Sequence, residues 1–145
     1  MKTVMAVCLV SCLGIVLTSG PVRSQDGSTP EDAAVYIIWP RDNQVIRRGK
    51  LWLRMGLRNA GIALAGTSQP RTGHHHLLID TELPPLDESI PADNNHLHFG
   101  GAQTEMRLEL PPGKHTLQLL LGDANHMPHS PPLYSEQITI VVPES

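Results

Sequence analysis

The sequence predicts an all-β fold: an immunoglobulin-like antiparallel β-sandwich of six to seven short strands, after a cleaved signal peptide. Three observations carry this. Proline and glycine, 13 and 12 residues of 145, recur so often that beyond the first 24 residues the longest run free of both is about ten. That is shorter than the mean α-helix of about 11 to 12 residues. The runs between them are apolar and rich in strand formers, and their number and spacing match a sandwich.

Met1 and Lys2 precede Val4 to Leu17, in which only Ser11 and Gly14 fall outside the apolar set. Val22 and Ser24 are small enough for the −3 and −1 positions of cleavage, so residues 1–24 read as a secretory signal. The run is shorter than the about 20 residues a membrane span needs, so no membrane span is expected. Leu9, Val10, Ser11 and Cys12 also satisfy a lipoprotein pattern, but a cut there would strand Leu13 to Leu17 outside the apolar core. Residues 25–34 are polar and read as a disordered leader. The domain then spans 35–143, with strands expected at Val35 to Trp39, Leu51 to Met55, His75 to Ile79, Glu105 to Leu110, His115 to Leu121 and Gln137 to Val142. A short seventh runs through Asn95 and Leu97. In LELPPGKHTLQLLL, Leu108 to Leu121, Pro111 to Gly113 turn the chain and His115, Leu117, Leu119 and Leu121 share the next strand's face. This has the form of the corner between the fifth and sixth strands of a sandwich, where a tyrosine hydroxyl commonly bonds back to the backbone; His115 takes its place as a structural residue.

Composition removes several classes of function. Both cysteines, Cys8 and Cys12, lie in the signal, which leaves no thiol for a disulfide, a thiolate metal site, a nucleophile or a blue-copper centre. Removing Lys2 and Arg23 leaves 9 basic against 14 acidic residues, so nucleic acid and anionic membranes are not expected partners. The unusual number is eight histidines, against five Phe, Trp and Tyr together.

Alternating strand directions would carry seven of these histidines, all but His115, to one end of the sandwich. Residues i and i+2 of a strand share a face about 6.6 Å apart, so His74 with His76, or His96 with His98, can turn two imidazoles to one ion. His126 and His129, in the loop DANHMPHSPP, can close the other side. One of His74, His75 and His76 must point the opposite way, because the pleat alternates. The expected metal residues are therefore His74, His76, His96, His98, His126 and His129, with Asp80, Asp93, Glu105 and Asp123 as acceptors that fix the ring tautomers. Imidazole suits copper and zinc, and of the methionines Met55 and Met106 read as core while Met127 is the thioether in reach.

Three blocks, TGHHHLLID (Thr72 to Asp80), NNHLHFGGAQTE (Asn94 to Glu105) and PPGKHTLQLLLGDANHMPHSPP (Pro111 to Pro132), together resemble the bacterial domain-of-unknown-function family numbered 4399. The likeness runs from about Val35 to Val142. It implies a small exported protein with this single domain and supplies no activity. The residues themselves point to a periplasmic or secreted protein that binds copper or zinc for storage, delivery or sensing, with a metal ion and a periplasmic metal-handling protein as partners. Two other readings compete. One is a metal-free structural or adhesive module. The other is a zinc-dependent hydrolase with Glu105 or Asp123 as base to a bound water.

Overall fold

The computed structural model describes residues 31–144; the expected signal and residues 25–30 of the leader lie outside the described residues. Among the described residues nine strands form: β1 (Ala34–Trp39), β2 (Gln44–Val45), β3 (Lys50–Arg58), β4 (Gly61–Ile62), β5 (Thr72–Ile79), β6 (His96–His98), β7 (Glu105–Glu109), β8 (Gly113–Gly122) and β9 (Ile138–Val142). Among the described residues the only helical turn is a 3-10 turn at Arg47–Gly49. All six expected runs are strands, and β6 is the seventh. The two-residue strands β2 and β4 are additions. They pair parallel to β9 and β5, whereas every other pairing is antiparallel.

The strands divide into two sheets, β1-β3-β7 and β2-β9-β8-β5-β4, with β6 on the same edge of β5 as β4. Alternation along each strand builds the sandwich. Leu51, Leu53 and Met55 of β3 and Leu108 of β7 face Leu77 and Ile79 of β5, Leu117 and Leu119 of β8, and Ile140 of β9 in one buried cluster. Each such side chain contributes about 1.5–3 kcal/mol when fully buried. Met55 is buried there and Met106 packs against the same cluster, so both are core residues as expected.

The alternate residues of β5 and β8 point away from that core. Leu78 and Leu120 form a second cluster with Ile90, against which Leu83 packs. The segment between β5 and β6 thus covers the outer face of the larger sheet. Two registers place the histidines: on β5, His74 stands opposite Gly122 and His76 opposite Leu120 of β8, while His76 also stands opposite His98 of β6. His74, His76, His98 and Gly122 therefore share the outer face, and His75 is turned towards the interior.

At the far end of β5 and the near end of β8, His115 behaves as the corner predicts. Its Nε2 donates to the Pro111 carbonyl at 2.9 Å, four residues upstream, and its Nδ1 lies 2.7 Å from Asp80 Oδ2. Asp80 Oδ1 also accepts from the Thr116 N–H at 2.8 Å. Burial disfavours charge on this imidazole, but the Asp80 hydrogen bond, the Pro111 carbonyl and the Asp80 charge together raise its pKa above the usual value.

Candidate metal centre

Four of the seven histidines expected together do meet. The six ring pairs among His74, His76, His98 and His126 have centroids 4.7 to 5.9 Å apart. The His74 and His76 Nε2 atoms are 3.1 Å apart, and so are those of His98 and His126. Ligand nitrogens of His74, His76 and His98 all lie within 4.8 Å of one another. Two imidazoles bound at about 2.0–2.1 Å to one tetrahedral ion stand about 3.3–3.4 Å apart, so both contacts, at hydrogen-bond length, lie a few tenths of an ångström inside ligand-to-ligand spacing.

Each ring is placed by a different local device. His74 and His76 are fixed by the pleat of β5, a strand flanked on both sides, and are 1% and 0% exposed. His98 ends β6 and is exposed. His126 sits in the turn after β8 with φ 64°, a left-handed backbone uncommon outside glycine. Asp123 holds that turn: its Oδ1 accepts from the N–H groups of Asn125 (2.7 Å) and Met127 (2.9 Å), and its carbonyl accepts from the His126 N–H at 3.1 Å. The Ile90 N–H donates to the His126 carbonyl at 2.8 Å and ties the turn to the covering segment.

Two glycines leave the space the rings occupy. A Cβ on Gly122 would lie 2.8 Å from His76 Nε2, and one on Gly100 would lie 2.3 Å from His98 Cε1. The sequence reading missed both positions; the available signal was a glycine close after a histidine motif (HLHFG) and at the end of the strand facing one (LLLG).

The electrostatics favour neutral rings. Burial, followed by repulsion from His98 and His126, lowers His74 to about 4, with the Asp123 charge opposing. Burial, then repulsion from His74, His98 and His126, lowers His76 to about 3. Burial first and His126 second also lower His98. Neutral imidazole is the ligand form.

The remaining expected residues go elsewhere. His96 shares the outer face but stands opposite Leu78, and Asp93 captures its Nδ1 at 2.9 Å; the His96 hydrogen bond holds the Asp93 carboxyl below its usual value. His129 is drawn away to Gly73, where a Cβ would lie 2.8 Å from its Nε2, and burial lowers its pKa. His75 is fully buried on the interior side of β5, with neither ring nitrogen hydrogen-bonded among the described residues.

The four carboxylates expected as tautomer-fixing acceptors bond none of the clustered rings. Asp80 serves His115, Asp93 serves His96, Glu105 lies 3.9 Å from Arg54 in the smaller sheet, and Asp123 shapes its own turn. The buried Nδ1 atoms of His74 and His76 have no hydrogen-bond partner among the described residues. Met127 contributes its N–H to Asp123. With Glu105 in the other sheet, the hydrolase reading loses one of its two candidate bases.

A β1-β3-β7 sheet packed on one centred on β9-β8-β5 defines the class: an immunoglobulin-like, all-β sandwich carrying a histidine cluster on its outer face. The chain belongs to the family described as Domain of unknown function (DUF4399), whose profile matches residues 53–143. No curated protein matches it. Among solved structures it is similar to one described as "Structures of Clostridium thermocellum CbhA fibronectin(III)-like modules", with 12% identity over 74% of this chain and 92% of that one and a TM-score of 0.41. The fold assignment rests on the strand order and register above.

Proposed function

We propose that the protein binds one transition-metal ion, copper first and zinc next, through Nε2 of His74, His76, His98 and His126. The observation that carries this is the pair of 3.1 Å Nε2 contacts made by histidines from two strands and a distant turn. Nitrogen-only ligands favour copper and zinc over the hard cations, which prefer oxygen. The imidazoles supply no charge of their own, and the Asp123 charge acts on His74. His74 and His76 lie on the buried side, while His98 is exposed and His126 half-buried. An ion held this way is anchored from below and reachable from solvent, which suits storage, delivery or sensing. Export to the periplasm or outside the cell belongs to the same proposal and rests on the apolar N-terminal segment.

The test is a titration of the apo protein, purified without nickel resin, with Cu2+ and Zn2+ against a competing chelator. Uptake of one ion per chain at micromolar or lower concentration, lost in a His98→Ala, His126→Ala double variant that keeps its circular dichroism, supports the reading. No uptake of either ion by the folded protein refutes it and leaves the metal-free module.

A further inference from the structure

We infer that the opposite outer face of the sandwich carries a second binding site, for a carboxylated oligosaccharide. A cleft of about 870 Å³ lies between the outer face of β3 and β7 and the segment Val45 to Arg47. This is within the about 300–1,000 Å³ usual for small-ligand sites. No histidine lines it, and it does not share a residue with the four-imidazole cluster.

Its lining is unlike the rest of the chain. Both tryptophans of the protein, Trp39 and Trp52, lie there. Four cations, Arg47, Lys50, Arg54 and Arg107, line it against one carboxylate, Glu109, although acids outnumber bases 14 to 11 overall. Two of the cations are partnered: Lys50 lies 3.5 Å from Glu109 and Arg54 3.9 Å from Glu105, in exposed pairs that hold weakly. Arg47 and Arg107 have no carboxylate partner among the described residues.

Arg107 and Trp52 are directly opposite in the β3–β7 register, and the guanidinium carbon lies 5.5 Å from the Trp52 ring centroid. The indole supports the guanidinium from one side by cation–π attraction. The fork of N–H donors is left to grip a carboxylate with two parallel bonds. Trp52 is itself 49% exposed, so beside the guanidinium the indole still presents flat apolar surface to solvent.

A ligand that uses both features carries a carboxylate on a ring with an apolar face. The cleft is open to solvent, so much of the ligand stays wet. A wholly apolar ring gains little there, because small-molecule sites commonly bury about 70–90% of their ligand. A uronic acid keeps its hydroxyls hydrated, lays its C–H face on the indole and gives its carboxylate to Arg107. Single-stranded nucleic acid also joins anions to rings, but it is held by a cationic track that follows the backbone. Here the cations gather in one cleft of a chain of net charge −3.

Because both tryptophans line the cleft, tryptophan fluorescence, excited where the two tyrosines do not absorb, reports on it. The full-length protein is titrated with a galacturonate tetramer, with the fully methyl-esterified tetramer, and with a single-stranded oligonucleotide. The expected result is a saturable change with the acid tetramer and about tenfold weaker binding of the ester, as loss of a charge-assisted hydrogen bond gives. Arg107→Gln and Trp52→Ala, both at exposed positions, each weaken it by about tenfold without altering the melting curve. The His98→Ala, His126→Ala variant binds the tetramer as the unaltered protein does, whatever its metal affinity. No saturable change up to about 10 mM, equal binding of acid and ester, or tighter binding of the oligonucleotide overturns the inference.

Discussion

His115 and the His74–His76 pair lie on adjoining strands, yet their surroundings treat the same side chain in opposite ways. At the corner both His115 nitrogens meet acceptors, the Asp80 carboxylate and the Pro111 carbonyl, and its pKa is raised. On the outer face His74 and His76 are as deeply buried, their Nδ1 atoms have no hydrogen-bond partner among the described residues, their Nε2 atoms meet imidazole nitrogen, and their pKa values fall to about 4 and 3. In the proposed function this is a difference of role: the corner imidazole is supplied with acceptors for its protons, whereas the paired imidazoles of β5 turn their Nε2 atoms towards each other.

The sharpest way to break this contrast is to remove ligands. The His98→Ala, His126→Ala variant should lose at least about a hundredfold in metal affinity, beyond the about 10–100-fold typical of outer-shell changes, with little loss of stability because His98 is exposed. Chelator competition and thermal melting read the two effects. His115→Ala should do the reverse: it removes two hydrogen bonds at a buried corner, costing about 2 kcal/mol of stability, while metal affinity stays within about twofold. If His115→Ala abolished metal binding in a protein that still folds, the division of roles would be wrong.

Gly100→Ala sharpens the comparison without touching a ligand. The new Cβ would fall 2.3 Å from His98 Cε1, and the exposed ring must swing outward. Affinity should fall by about tenfold, a typical indirect effect, with the melting temperature nearly unchanged. Gly122→Ala meets the buried His76 ring instead, at 2.8 Å from Nε2, and should lower stability by about 1–3 kcal/mol as well as affinity.

The effect on pH dependence differs in sign between the two regions. The unfolded chain protonates His74 and His76 near the ordinary 6.5, whereas the folded chain does so near 4 and 3. Between those limits the unfolded state binds more protons, so stability of the apo protein falls as pH drops from 6.5 towards 4. His115, with a raised folded pKa, contributes stability that is fully present below 6.5 and is lost as pH rises through the folded value. Melting curves of the apo protein and of a His74→Ala, His76→Ala variant across pH 4 to 8 should diverge on the acid side. The variant should be the less acid-sensitive, and parallel curves would contradict the buried, neutral assignment.

Much of the fold was legible because alternating apolar residues and turn-rich spacers mark long strands well. The seven expected strands are present, and the corner histidine bonds back as a tyrosine would. The strands β2 and β4 were not legible, since two residues carry no periodicity. At the site, pleat alternation was enough to put His74 with His76 on one face and His75 on the other, but not to say which face is turned inward. Register was not readable, and it decides the rest: His98 falls opposite His76, while His96 falls opposite Leu78 beside the competing Asp93. The path of the turn also could not be read. Pro128 bridges back to Gly122, which leaves His126 over the cluster and carries His129 to Gly73.

The central claim is that four imidazoles, and no others, converge on one ion. Long-range proton–nitrogen NMR of the imidazole rings during a Zn2+ titration tests it most directly. The Nε2 signals of His74, His76, His98 and His126 are expected to move together and saturate at one equivalent, while those of His75, His96, His115 and His129 stay in place. Movement of His96 or His129 as ligands, or stillness of all eight rings as zinc is added, would contradict it.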